Sequence, residues 1–281
     1  MFKNNLLSHD RVAANTSVAP VMSRCHGTSE WSVKTINCCT GCSHDCIYCY
    51  AKEMGTRFGW TTQKTWPLEQ IRQKDVDKIY PKYDGQVMFP SSHDITPNNR
   101  NACEIVLGRL LDAGNKVLVV SKPHISCIES LCILFQYYVE NIIFRFSIGA
   151  CDDRILSYWE PNAPCYAERK QCLVHAYHAG FKTSVSVEPM LDSTNIDALI
   201  SDLSPFVTDA IWIGTMNHLG RLEKCSGKVL RQAIGKIRQS QTDSAIKAIY
   251  QRHKGNPMIK WKKEIKKVVG IPIPKRNGLD I

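Results

Sequence analysis

Six short runs rich in β-branched and aromatic residues recur along this chain, at 31–37, 86–92, 116–121, 142–149, 182–188 and 209–214, with amphipathic stretches between them. This alternation constrains the fold more than any other feature. Cys103, Val106, Leu107, Leu110 and Leu111 follow the spacing of one helix face. Ile128, Leu131, Cys132 and Phe135 repeat it, as do Ile196, Leu199, Ile200 and Leu203. Strands alternating with helices close as right-handed βαβ units, which predicts a parallel sheet covered on both faces. Six units are fewer than the eight of a closed barrel. The expected fold is therefore α/β, a partial (β/α)6 TIM-type barrel, with an open doubly wound sheet as the alternative. Either places its chemistry at the carboxyl ends of the strands.

The charge is divided unevenly. Of the net +10, residues 221–281 carry 16 Lys+Arg against 4 Asp+Glu, which leaves the first 220 residues slightly acidic. Within this basic segment Met258, Trp261, Ile265, Val268 and Val269 form an apolar stripe opposite Lys260, Lys262, Lys263, Lys266 and Lys267. That pattern predicts a helix with a lysine face, a candidate polyanion-binding surface whose plainer alternative is a solvated helix. The expected organisation is an N-terminal extension (1–30), a core (31–220) and a basic helical C-terminal extension (221–281).

At 281 residues and 43% hydrophobic content the chain can bury a sizeable core and is not a mostly disordered protein. Its opening stretch lacks the apolar run of a signal peptide, and no later run approaches the ~20 residues that span a bilayer. A cytoplasmic protein without a membrane segment is expected. The thirteen cysteines are an odd number. Without a secretion signal they point to reduced thiols and metal ligation rather than a disulfide framework.

Three of them, Cys42, Cys46 and Cys49, have the spacing C-x3-C-x2-C directly after the first expected strand. Thiolates select iron–sulfur clusters, zinc or copper. Three thiolates can ligate three irons of a 4Fe–4S cluster and leave the fourth open to a substrate. A fourth, Cys39, would instead allow a four-cysteine zinc knuckle or a closed electron-transfer cluster. Tyr48 precedes the last cysteine and suits packing against an adenine.

The C-x3-C-x2-C motif with an aromatic before its last cysteine resembles the signature of the radical S-adenosylmethionine (SAM) superfamily. The longer string NCCTGCSHDCIYCYA is similar to the cluster loop of its spore photoproduct lyase-like branch. So are the Ser-Lys-Pro after the third strand, the stretch from Ser147 to Lys170, and SVEPM ending the fifth strand. The resemblance covers roughly Ser32 to Asn217 and implies a 4Fe–4S cluster, SAM as co-substrate, and a reductant such as flavodoxin or ferredoxin. It also implies roles for particular residues. Ser91, Ser92, His93 and Asp94, after the second strand, would meet the methionine amino group, though Asp94 could equally cap the next helix. Lys122 would lie near the SAM carboxylate, Ser147 near the ribose, and Arg169 in the following helix, where a surface position is the alternative. Tyr50 would line the radical path. Glu188, a carboxylate ending an apolar strand, would bind SAM or substrate, or pair with Arg169. In the thymine-dimer-repairing members the second-strand loop carries a hydrogen-donating cysteine. Here that position is Ser91, whose O–H bond is too strong for the role, so the resemblance implies the scaffold without that repair reaction.

The expected function is thus cleavage of SAM to a 5′-deoxyadenosyl radical that abstracts hydrogen from a substrate, with nucleic acid suggested by the basic tail. The alternative is a non-enzymatic nucleic-acid-binding protein with a four-cysteine zinc site.

Overall fold

The computed structural model describes residues 27–224 and 227–279. A 3-10 turn at Gly27–Glu30 leads into β1 (Lys34–Thr35). An excursion follows, made of β2 (Cys39–Thr40), α1 (Tyr50–Arg57), β3 (Gln70–Ile71) and α2 (Gln73–Val76), before β4 (Val87–Phe89). The chain then alternates through α3 (Arg100–Asp112), β5 (Val117–Ser121), α4 (Ile125–Leu134), β6 (Ile142–Ser147), α5 (Asp153–Trp159), α6 (Tyr166–His178), β7 (Lys182–Val187), α7 (Ile196–Leu203) and β8 (Ile211–Ile213). After these come α8 (Leu219–Lys224), α9 (Lys228–Ser240), α10 (Asp243–His253), β9 (Ile259–Trp261) and α11 (Lys263–Val269).

Seven strands form one sheet in the order β1-β4-β5-β6-β7-β8-β9, every pair parallel, while β2 and β3 pair antiparallel on their own. Each of the six expected runs contains a strand. The order never reverses, so the sheet is singly wound, a partial barrel rather than a doubly wound sheet. Alternate strand residues face opposite ways. Val117 and Val119 of β5 join the cluster of Leu107, Leu110, Ile128 and Leu131 under the helices. Leu118 and Val120 point inward, with Trp31, Met88 and Trp212. The expected apolar faces of α3, α4 and α7 are all buried.

The barrel interior holds one charge that the sequence pattern does not betray. Arg145 of β6 lies between Trp31 and Trp212, 4.7 and 5.2 Å from their ring centroids. It donates to Ser184 Oγ and to Asp209, each at 3.0 Å. Burial lowers its pKa to about 10, against the pull of Asp209. This stack packs Arg145, Trp31 and Trp212 together inside the barrel.

The tail departs from the expected helix. Ile259, Lys260 and Trp261 alternate buried, half-buried, buried and pair with β8 as the seventh strand, so the sheet runs past the expected core boundary at 220. Edge pairing decides the matter, because three residues suit either period and β8 offers an open ladder. The lysine face is broken up as well. Lys262 and Lys266 are buried, and only Lys267 of the expected five is fully exposed. Lys262 Nζ lies 3.0 Å from Glu30, 3.5 Å from Glu188 and 3.0 Å from the Gly27 carbonyl, over the Trp31 ring at 4.0 Å. The Lys263 amide donates to Glu30, and the Gly278 amide to the Ser29 carbonyl. The segment before β1 is thereby fixed against the segment after β9, the two edges of the sheet. Among the described residues no helix is long and apolar enough to cross a membrane.

A buried lysine between two carboxylates is costly to remove. Lys262→Met should destabilise by about 3–5 kcal/mol, because it leaves the buried Glu30 and the half-buried Glu188 without their cation. Lys267→Met, on the exposed side, should change stability by less than about 0.5 kcal/mol. Urea unfolding of the two variants checks the contrast.

Candidate functional site

A cavity of about 630 Å³ opens at the carboxyl ends of the strands. Its wall draws on successive strands in turn: Ser91, Ser92, His93 and Asp94 after β4, Lys122 after β5, Ser147 ending β6, Glu188 after β7 and Thr215 after β8. Cys42, Cys46, Tyr48, Cys49 and Tyr50 complete it from the excursion after β1. Of the thirteen expected site residues, only Arg169 lies outside.

The cysteine loop owes its path to local backbone demands. Gly41 has φ +96°, and a Cβ there would come within 2.6 Å of the Trp66 carbonyl and 2.8 Å of the Leu68 carbonyl, so no side chain fits. The Cys42 amide donates to that same Trp66 carbonyl at 3.0 Å. Cys49 is the N-cap of α1, its sulfur accepting from the Lys52 amide at 3.4 Å. A helix N-terminus favours a thiolate at that position. The eleven described cysteines are all free thiols, and Cys25 and Cys225 lie outside the described residues. Burial pushes the pKa values of Cys42, Cys46 and Cys49 up. They therefore ionise in exchange for a bound cation rather than on their own. Cys39, the ligand that a four-cysteine site needs, turns its sulfur to the Thr40 and Gly41 carbonyls and does not line the cavity.

Asp94 is the hub of the site. One carboxylate oxygen accepts from Lys122 Nζ at 2.9 Å and lies 2.8 Å from His44 Nδ1 and 3.7 Å from Cys42 Sγ. The other accepts from the Lys122 amide at 2.8 Å and Ser121 Oγ at 3.3 Å. Burial works to raise its pKa, but Lys122 and His44 hold the carboxyl well below the usual range. Lys122, half-buried in the cavity wall, is held well above its ordinary value, chiefly by Asp94. The capping role is not the one found: α3 begins at Arg100 with Asn99 as N-cap, and Asp94 contacts neither its amides nor its side chains except through the Asp94 carbonyl. Cys42, His44 and Asp94 place one ligand atom each within 4.8 Å of one another, although His44 and Asp94 already bond each other.

The neighbouring loop is shaped by Asn37, which sequence reasoning missed. Its side-chain oxygen accepts from the amides of Ser91 and Ser92 at 2.7 and 2.8 Å, and its amide donates to Ser91 Oγ. Tyr50 Oη donates to the Ser91 carbonyl at 2.5 Å. His93 Nε2 accepts from the Cys38 amide at 3.3 Å. Glu69, also missed, accepts from the Ser43 amide and from the side chains of Thr96 and Asn99, which ties the cysteine loop to the β4 loop. A short-range pattern cannot reveal partners so distant in the chain.

Arg169 is corrected on two counts. It is buried, not on a surface, and its partner is Glu160 at 2.6 Å rather than Glu188. It also donates to the carbonyls of Pro164 and Ser147 at 2.7 and 3.2 Å. Glu160 in turn accepts from Tyr48 Oη. Arg169 thus fixes Tyr48 and the end of β6 from behind the cavity wall. Glu188 lies instead beside Lys262 and near Glu264. Burial raises the pKa of Glu188, with Lys262 opposing. Burial, then Glu188, raises that of Glu264 to about 7.

No family model matches the chain. The uncharacterized protein ORF301 of Acidianus two-tailed virus is 26% identical over 204 residues, 66% of this chain and 66% of that protein. A double mutant of spore photoproduct lyase with bound AdoMet and dinucleoside spore photoproduct has a similar structure, with a TM-score of 0.53 and 14% identity over 81% of this chain and 75% of that one. Streptococcus suis SuiB bound to S-adenosylmethionine gives 0.52 and 10% identity, over 88% of this chain and 54% of SuiB. At such identities the likeness is one of fold. The chain has the partial-barrel fold of these SAM-bound proteins, the fold implied by its resemblance to the spore photoproduct lyase-like branch.

The Glu264 carboxyl makes stability depend on pH. Its folded pKa of about 7 exceeds the ordinary value of 4.5, so the folded protein holds the extra proton between those values. Its contribution is full below about pH 4.5 and is lost as pH rises through about 7. Glu264→Gln, which cannot ionise, should flatten the fall in stability between pH 5 and pH 7.5 in urea unfolding.

Proposed function

We propose that this protein is a radical SAM enzyme, in which Cys42, Cys46 and Cys49 hold a 4Fe–4S cluster and the cavity binds SAM. The observation that carries the reading is the convergence of three free thiols of a C-x3-C-x2-C loop with the strand ends in one cavity, on the fold of SAM-bound proteins. The donor set fits: three soft thiols on one cavity wall, Cys42 and Cys46 buried and Cys49 half-buried at a helix N-terminus. A cluster held by Cys42, Cys46 and Cys49 would supply the one-electron reductive cleavage of SAM to methionine and a 5′-deoxyadenosyl radical.

The protein's own residues bind, orient and exclude water. Lys122 is a cation held at full charge by Asp94, suited to the methionine carboxylate. The β4 loop, with Ser91, Ser92 and His93 set by Asn37, suits the amino group. Ser147 suits the ribose hydroxyls and the Tyr48 ring the adenine, with Arg169 and Glu160 as positioning residues behind it. Tyr50 and Glu188 remain to face the substrate. Ser91 in place of a hydrogen-donating cysteine argues against dimer repair by this chain. A reductant such as flavodoxin or ferredoxin supplies the electron. For a nucleic-acid substrate the support shifts from the 260s lysines, two of them buried, to the exposed Lys228, Arg231 and Lys236 of α9. The zinc reading loses support because Cys39 is turned away.

Two outcomes test this. After anaerobic reconstitution, Ala at Cys42, Cys46 or Cys49 should abolish the brown iron–sulfide chromophore, while Cys39→Ala keeps it. Zinc alone in the purified protein, or loss of iron on Cys39→Ala, would sink the open-cluster model. The reduced, fully loaded wild type should also release 5′-deoxyadenosine slowly from SAM without substrate, detected by mass spectrometry.

A further inference from the structure

At the mouth of the cavity α1 ends in Arg57 and is followed by two large rings facing solvent. Phe58 and Trp60 are 58% and 59% exposed, and their rings stack at 5.3 Å with planes 24° apart. The Arg57 guanidinium lies 5.7 Å from the Phe58 centroid. Single exposed apolar side chains need no explanation, but this pair is organised. The Phe58 amide donates to the Met54 carbonyl at 3.0 Å and the Trp60 amide to the Gly55 carbonyl at 2.9 Å. Between them Gly59 takes φ +71°, which folds the second ring back beside the first. Arg57 and Phe58 both line the cavity, so the shelf is continuous with it.

Charge narrows the occupant. Across the mouth Arg221 of α8 bonds Glu53 of α1 at 3.3 Å. Helix α9 packs on α8 through Leu219, Leu222, Leu230 and Ile234 and turns Lys228, Arg231 and Lys236 to solvent. These three and Arg57 form no ion pair among the described residues. Flat exposed rings beside the unpaired Arg57, with further unpaired cations on α9, suit a polyanion that carries flat rings of its own. A duplex hides the faces of its bases, whereas a single strand presents them for stacking.

We infer that the Phe58–Trp60 shelf, with Arg57 and the basic face of α9, docks single-stranded nucleic acid and stacks an unpaired base at the mouth of the cavity. A neighbouring nucleotide then reaches the interior. The inference names a substrate class for the proposed function and rests on that reading for the chemistry that follows docking.

The test uses the full chain and fluorescence anisotropy with a labelled oligothymidylate, the matching oligouridylate and a duplex of the same length. The wild type should bind both single strands more tightly than the duplex, because stacking ignores the 2′-hydroxyl. The double variant Phe58→Ala, Trp60→Ala should lose on the order of 10- to 100-fold in single-strand affinity, the fold-change of a lost base stack. Trp60→Phe should recover most of it, which a merely unfolded variant would not. Lys236→Gln should lower the dependence of affinity on salt. Equal affinity for the duplex, no binding of either single strand, or unchanged affinity in a double variant with native circular dichroism would overturn the proposal. Release of 5′-deoxyadenosine by the wild type is scored separately. Stacking-dependent binding without it leaves the surface and removes the radical reading; release without such binding does the reverse.

Discussion

The carboxylate of Asp94 is the contact on which the arrangement of the site depends. It is buried, yet it stays ionised because Lys122 and His44 meet one of its oxygens and the Lys122 amide meets the other. Asp94 in the loop after β4 thereby joins the end of β5 to the cysteine loop. A buried charge of this kind costs several kcal/mol unless its partners are in register. The requirement for register is what holds Cys42, 3.7 Å away, at a fixed place relative to the strand ends. Lys122 benefits in turn, since the carboxylate at hand holds its charge against the burial that would remove it.

A second buried charge group does for the barrel what Asp94 does for the site. A partial barrel has two sheet edges, and the edges must be closed or covered. Here Lys262 reaches from the end of β9 to Glu30 and to the Gly27 carbonyl in the turn before β1, with the Trp31 ring beneath it. The same lysine touches Glu188 in the cavity wall. Closure of the barrel and the electrostatics of one cavity wall are therefore a single network. The basic tail is in this respect part of the structure around the cavity, and its surface charge lies on α9 and α10 rather than on a lysine-faced helix at its end.

Much of this was legible in the residues alone. The strand runs and helix faces were correct because period-2 and period-3.6 patterning is local and is set by which side of each element is buried. The cysteine spacing and the strand-end positions of Lys122, Ser147 and Glu188 were legible for a related reason. A parallel sheet sends every such position to the same end, so a residue that follows a strand is near the cavity whatever its partners.

What the sequence determined by itself was the parallel α/β layering, the cluster of thiols after the first strand and the end of the sheet at which they lie. What only the tertiary structure decided was pairing between distant residues: Asp94 with His44 and Lys122, Arg169 with Glu160, Asn37 with the β4 loop, and Lys262 with Glu30 across the seam. The same holds for β9, three residues that become a strand only because β8 leaves a ladder open. Local propensity over so short a segment is weaker than one row of backbone hydrogen bonds. The identity of a buried charge's partner is set by which elements meet in space, and the order of residues along the chain does not carry it.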